Sequence, residues 1–170
     1  MADVRATLIV VSGLPATGKT TVASAVARAR PATFVRIDTI EQTIVKHTEL
    51  AQPLGPVGYE VGYALTRQQL RLGLDVVAEC VNPLRITRDA WRRTAADAEA
   101  DIAEVEMICS DPGEHRRRAE NRSIDVPGLV LPTWQDILER EYEPWDRPHL
   151  VLDTTQLSAQ EAIIAIKKMT

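Results

Sequence analysis

Eight residues near the start of the chain form a pattern with a definite chemical use. Gly13-Leu14-Pro15-Ala16-Thr17-Gly18-Lys19-Thr20 places glycine first and sixth, lysine seventh and a hydroxyl eighth. Glycines let successive backbone N–H groups turn inward around an anion. A helix starting at Lys19 would point its positive end at the same spot. Lys19 would then reach the terminal phosphates of a nucleotide, and the Thr20 hydroxyl would ligate magnesium. Residues 13–21, with Thr21 closing the run, are therefore expected to bind ATP with Mg2+. The bland alternative is a glycine-rich turn with no ligand.

Two acids lie where partners for that loop would be needed. Asp38 follows the run TFVRI, and Glu79 sits within LDVVAECV. In open parallel sheets, ligands bind beyond the carboxyl ends of the strands. Asp38 could accept a proton from an acceptor hydroxyl or orient it, but Asp38-Thr39-Ile40-Glu41 also fits a helix N-cap. Glu79 is an acid among Val76, Val77, Ala78 and Cys80, which is costly without a partner. That partner is either magnesium at the loop or a structural arginine.

A third candidate is the basic run Glu114-His115-Arg116-Arg117-Arg118-Ala119-Glu120-Asn121-Arg122. Arg118 and Arg122 are four apart and would share a helix face, from which they could neutralise charge on a transferred phosphoryl group. Arg116, Arg117 and His115 read as exposed. Gly128, after the Val126-Pro127 turn, suits a lid over about residues 114–132.

The elements needed to position these groups are legible from periodicity. Apolar runs at 7–12, 33–37, 74–81, 104–110 and 149–152 read as strands. Helical patterns fill 19–30, 40–50, 59–72, 88–100, 112–122 and 133–142. Ser158 and Glu161 form a capping box for a last helix with Ala162, Ile163, Ile166 and Met169 inward. Gly73 caps the helix before it and residues 52–58 read as loop. Strands alternating with helices imply an α/β fold with a parallel sheet covered on both faces, in a single domain over residues 1–170.

Composition narrows the partners. The chain has 170 residues, 45% of them hydrophobic and 4% aromatic, so one sizeable aliphatic core is expected. A net charge of −4 counts against long nucleic acid. Cys80 and Cys109 read as reduced thiols. The opening MADVRATLIVVSG carries a short apolar run without a cleavage pattern, and no stretch nears the roughly 18 apolar residues of a membrane span. The expectation is a cytoplasmic monomer or homodimer. Tyr59 and Tyr63 either share a face toward an acceptor or simply pack, and Trp91, Trp134 and Trp145 read as packing residues. Arg67 and Arg71 are the only arginines between Asp38 and Gly73, which favours a neutral, hydroxyl-bearing acceptor.

With GLPATGKT, Asp38, the third-strand acid, EHRRRAENR and HLVLDTT in order, the chain resembles the small P-loop kinases grouped with gluconate kinase, adenylylsulfate kinase, chloramphenicol phosphotransferase and polynucleotide kinase. The resemblance implies a P-loop NTPase fold with a five-stranded sheet in the order 2-3-1-4-5. It also implies a base or orienting role for Asp38 and lid roles for Arg118 and Arg122, beside Lys19. It implies transfer of the γ-phosphoryl group of ATP to a hydroxyl of a small molecule. A polynucleotide-end kinase and a nucleotide-dependent regulator are the alternatives. Residues 79–88 look like the Asp-x-Thr-Asn…Arg stretch of the polynucleotide kinase-like members, with Glu79 for the Asp and Val81 for the Thr. Glu41 stands where a basic residue often follows the second-strand Asp.

Overall fold

The structure is a computed structural model that describes residues 5–170. The first four residues of the opening segment, and with them the start of the expected 1–170 domain, lie outside the described residues. In chain order the elements are β1 (Thr7–Ser12), α1 (Lys19–Ala29), β2 (Thr33–Arg36), α2 (Ile37–His47), α3 (Val57–Arg71) and β3 (Val76–Glu79). Next come α4 (Arg85–Ala96), β4 (Asp101–Ile108), α5 (Pro112–Glu120), α6 (Trp134–Glu139), β5 (Leu150–Asp153) and α7 (Ala159–Met169). The strands form one parallel sheet in the order β2-β3-β1-β4-β5, as the resemblance implied.

β1 is buried along its whole length because it is the central strand of a sheet covered on both faces. Its side chains alternate between two cores. Ile9 and Val11 pack with Val22 and Val26 of α1 and Ile166 of α7. Leu8 and Val10 pack with Tyr63 and Leu70 of α3 and Trp91 of α4. The neighbours of β1 lie on opposite sides, β3 toward one edge and β4 toward the other, so the loop that leaves its carboxyl end sits at the point where the strand order reverses.

Helix ends follow their local chemistry. Gly73 at φ 77° closes α3, its N–H reaching Leu70 O at 2.9 Å while Leu74 N–H reaches Gln69 O at 3.1 Å. Thr133 with Asp136, and Ser158 with Glu161, form reciprocal capping boxes. Asp111 caps α5 by accepting from the N–H groups of Gly113 and Glu114, and Pro112 occupies its first turn.

Several expectations are corrected. α2 begins at Ile37, directly after β2, so Asp38 stands inside the first turn of a helix and is not its cap. α5 ends at Glu120, and Arg122 therefore lies beyond the helix that was to carry it. Met169 is 44% exposed and stands outside the core that holds Ala162 and Ile166. His115 is buried at 7% exposure. It packs edge-on to Trp134 at 5.1 Å and bonds through Nε2 to Pro15 O at 2.8 Å. Trp91 is fully buried, as expected, and meets Tyr63 edge to face at 4.6 Å.

Candidate active site

The loop after β1 adopts a backbone that only its sequence permits. Gly13 has φ 141°, and a Cβ there would lie 2.2 Å from Met107 O on β4. Gly18 has φ 90° and Ala16 φ 64°, so the chain curls through the left-handed region twice within three residues. Inside the curl, Thr17 Oγ1 and Lys19 Nζ both donate to Leu14 O at 2.8 Å. From outside, Thr154 after β5 donates from Oγ1 to Thr17 O at 3.1 Å, and His115 holds Pro15 O. The loop is thus braced from two later segments of chain.

Ala16, Gly18, Lys19, Thr20 and Thr21 line an open cleft of about 690 Å³, together with Arg118 and Arg122. Gly13, Leu14, Pro15 and Thr17 are not among its lining residues; the bonds above hold the loop at Leu14, Pro15 and Thr17. Lys19 is buried at 8% exposure. Burial lowers its pKa, against the pull of Glu79 and Asp38 in the other direction.

Glu79 ends β3 beside this cleft and is 3% exposed. Its Oε1 accepts from Thr20 Oγ1 at 2.8 Å. Its Oε2 lies 3.2 Å from Arg36 Nε, but the two are misaligned and neither atom gains a hydrogen bond there. Burial pushes the Glu79 carboxyl up, opposed by Lys19 and Arg36. Of the two partners expected for this acid, the arginine is the one in place; Glu79 also accepts from the loop threonine.

That arginine was missed from the sequence. Arg36, in an otherwise apolar run, is 9% exposed and faces three acids. Besides Glu79, it makes a paired contact with Asp125 at 2.6 and 3.2 Å and lies 3.8 Å from Asp38. The signal was present, since a cation in a buried strand needs acids around it. Asp125 belongs to the segment after α5, so Arg36 ties that segment to the end of β2.

The four arginines of the basic run separate. Arg116 pairs with Glu120 and Arg117 with Glu114, both exposed, as expected of a solvated face, though Arg117 also lines the cleft. Arg118 bonds to Glu114 and, through both Nη atoms, to the hydroxyl and carbonyl of Thr154 at 2.7 and 2.9 Å. Arg122 also lines the cleft, makes no ion pair among the described residues, and lies near enough to lower the pKa of Lys19. Leaving the helix does not take it away from the site.

Asp38 lines a second cavity of about 540 Å³, between α2, α3 and α4. Tyr59 and Tyr63 both face it, and both are also packed: Tyr59 Oη accepts from Asn82 N–H at 2.9 Å and Tyr63 Oη donates to Thr87 O at 3.2 Å. Asn82, at φ 52°, is fully buried and donates from Nδ2 to Ser12 Oγ at 2.9 Å, joining the ends of β1 and β3. Arg88 is fully buried and donates to the carbonyls of Asn82, Pro83, Glu143 and Pro144, with its guanidinium 4.3 Å from the Trp145 ring. It fixes the floor of the second cavity to the segment before β5. The two thiols are free; Cys80 is buried and its pKa is pushed up to about 12. Among the described residues no helix is long and apolar enough to cross a membrane.

The fold has many relatives among solved structures. The Mycobacterium tuberculosis APS kinase CysC, in complex with AMPPNP and APS, aligns over 97% of this chain and 98% of its own, with 20% identity and a TM-score of 0.73. A sugar kinase from Janibacter sp. HTCC2649 aligns over 97% and 94%, with 16% identity and a TM-score of 0.69. A gluconokinase from Sinorhizobium meliloti 1021 aligns over 95% and 91%, with 21% identity and a TM-score of 0.63. At these identities the likeness is one of fold, that of the small P-loop kinases. No curated protein matches the sequence. The model of an AAA domain family, AAA_33, matches residues 8–140, most of the chain and all of the loop, acids and basic run just described, and the chain belongs to that family.

Proposed function

We propose that this protein is an ATP-dependent phosphotransferase that passes the γ-phosphoryl group to a hydroxyl of a small molecule. The observation that carries the reading is the Thr20–Glu79 hydrogen bond beside Lys19, at the wall of one cleft, with Asp38 on the wall of a second cavity. The first cleft is lined by cations and suits a polyphosphate. The second suits an organic acceptor.

The residues present fit a nucleotide and its metal. Gly13 leaves no room for a side chain, and the buried Glu79 Oε2 lacks a hydrogen bond. Thr20 and Glu79 would hold magnesium, directly or through its water. Bound there, it would offset phosphate charge. Lys19 would release Leu14 O and bind the terminal phosphates. Arg122 would approach from the lid side, with Arg118 anchoring the lid. Asp38 would accept the proton of the acceptor hydroxyl as its oxygen bonds to the γ-phosphorus and the bond from that phosphorus to the β–γ bridging oxygen breaks. The APS kinase of the same fold, solved in complex with AMPPNP and APS, supports this division into two sites.

The test is ATP consumption by the purified protein with magnesium, across alcohols, sugar acids, nucleosides and 5′-hydroxyl oligonucleotides. One acceptor that stimulates turnover and gains a phosphate by mass spectrometry establishes the class. Tight ATP binding with no acceptor among all of these moves the reading to a nucleotide-dependent regulator.

A further inference from the structure

Resting on that reading, we infer that the acceptor is a largely apolar alcohol carrying an amine, and that Glu41 holds its ammonium group while Asp38 addresses its hydroxyl.

The second cavity, at about 540 Å³, is within the usual range of small-molecule sites. Ile37, Tyr59, Tyr63, Val81, Pro83 and Ala90 give it an apolar and aromatic lining. The hydroxyls of both tyrosines are already bonded to backbone groups. Polar recognition therefore falls to the charged residues. Asp38 and Glu41 are the partly buried ones, whereas Glu60, Arg93 and Arg140 are exposed at the rim. The inner wall is thus acidic.

The two acids are three apart on α2, hence on one face. Glu41 is also seated. The notch beside it is Gly58 on α3, where a Cβ would lie 2.3 Å from Glu41 Cγ. One turn along, Gly62 makes the same room for Ile37, so the pair of glycines brings α3 close against α2 along this wall. The carboxylate so placed makes no ion pair among the described residues, and its one hydrogen bond, from Gln52 Nε2, is long at 3.5 Å. Burial and the charge of Asp38 push its carboxyl up, with Arg140 opposing from the rim. An ammonium group between the two acids supplies the missing cation, and the flanking tyrosine rings suit one as well. A carboxylate- or phosphate-bearing acceptor would instead meet two like charges.

The test uses three probes of one size and shape: phenylalaninol, a cation; 3-phenyl-1-propanol, neutral; and 3-phenyllactate, an anion. Each carries a phenyl group and a hydroxyl. Binding to the full chain is measured by ligand-observed NMR in low salt, without nucleotide. Phenylalaninol should bind at least about tenfold tighter than 3-phenyllactate, with the neutral alcohol between. Glu41→Gln, nearly isosteric, should erase most of that preference, while Glu60→Gln at the rim should keep it. Equal or tighter binding of the anion overturns the inference. So does a preference that survives Glu41→Gln, or no binding of phenylalaninol up to about 10 mM. Because no nucleotide is present, a cation preference without any phosphoryl transfer would count against the kinase reading alone. Transfer to an anionic acceptor would keep that reading and reject this one.

Discussion

At the scale of single residues, the proposal of chemistry on an alcohol rests on Asp38. It is not a helix cap, since α2 starts one residue before it and no side chain caps that end. Its contacts are one loose approach to Arg36 at 3.8 Å and the wall of the second cavity. A structural role would need more bonds than this. Asp38→Asn keeps the shape and removes the basicity, so phosphoryl transfer should fall by about 10²–10⁴. Nucleotide affinity, measured by titration with a non-hydrolysable ATP analogue, should stay within about twofold of native. Transfer at the native rate would return Asp38 to support of the helix. Lys19 gives the complementary case. Its ammonium group rests on Leu14 O in a buried position, and burial lowers its pKa. Lys19→Ala should therefore abolish both analogue binding and transfer, and native turnover in that variant would reject the loop as the phosphate site.

At the scale of elements, the segment from α5 to α6 is held at points of different kinds, besides the His115 bond to Pro15 O. Arg118 bolts α5 to Thr154, which in turn holds the phosphate loop at Thr17 O. Asp125 is tied to Arg36, next to Glu79 and Asp38. Arg118→Ala and Arg122→Ala should each slow transfer by at least about tenfold, the first by loosening α5 from Thr154 and the second by removing a cation from the cleft. Arg116→Ala, which breaks only an exposed pair with Glu120, should change the rate by less than about twofold. Equal small losses for all three would reduce the whole run to a solvated face. The Asp125 tie has its own signature. Arg36 holds the Asp125 carboxyl below its usual range. A depressed carboxylate contributes stability above its ordinary pKa of about 3.9 and loses it as pH falls through the lower folded value. The tie is thus complete at neutral pH. Asp125→Ala should open residues 121–132 to limited proteolysis at pH 7, where the native chain should resist, and equal cleavage of the two would mean that the segment is held elsewhere.

At the scale of the whole molecule, what the sequence conveyed and what it withheld have separate physical causes. The phosphate loop was legible because its glycines and lysine are fixed by local backbone demands, seen in Gly13 against Met107 O. Strands β1 and β5 and the capping box of α7 were legible for the same reason: each is decided within a few residues. Arg36, His115 and Arg88 were not, because their partners lie 89, 100 and up to 56 positions away in the chain. Those long-range ties are also what join the two sites to the cores. β1 feeds both apolar layers through alternate side chains, so neither layer can separate without exposing it. The chain is therefore expected to unfold in one transition, with nucleotide binding coupled to all of it. A ligand that binds only the folded state at 100 times its dissociation constant adds about 2.7 kcal/mol. For a chain of this length each kcal/mol raises Tm by about 2–4 °C. Saturating ATP analogue with magnesium should therefore raise Tm by about 5–10 °C, with a shift that grows with ligand concentration. Lys19→Ala should remove it. Two separated transitions would mean that the layers fold apart. A shift below about 1 °C at every concentration would mean that the cationic cleft is not the nucleotide site.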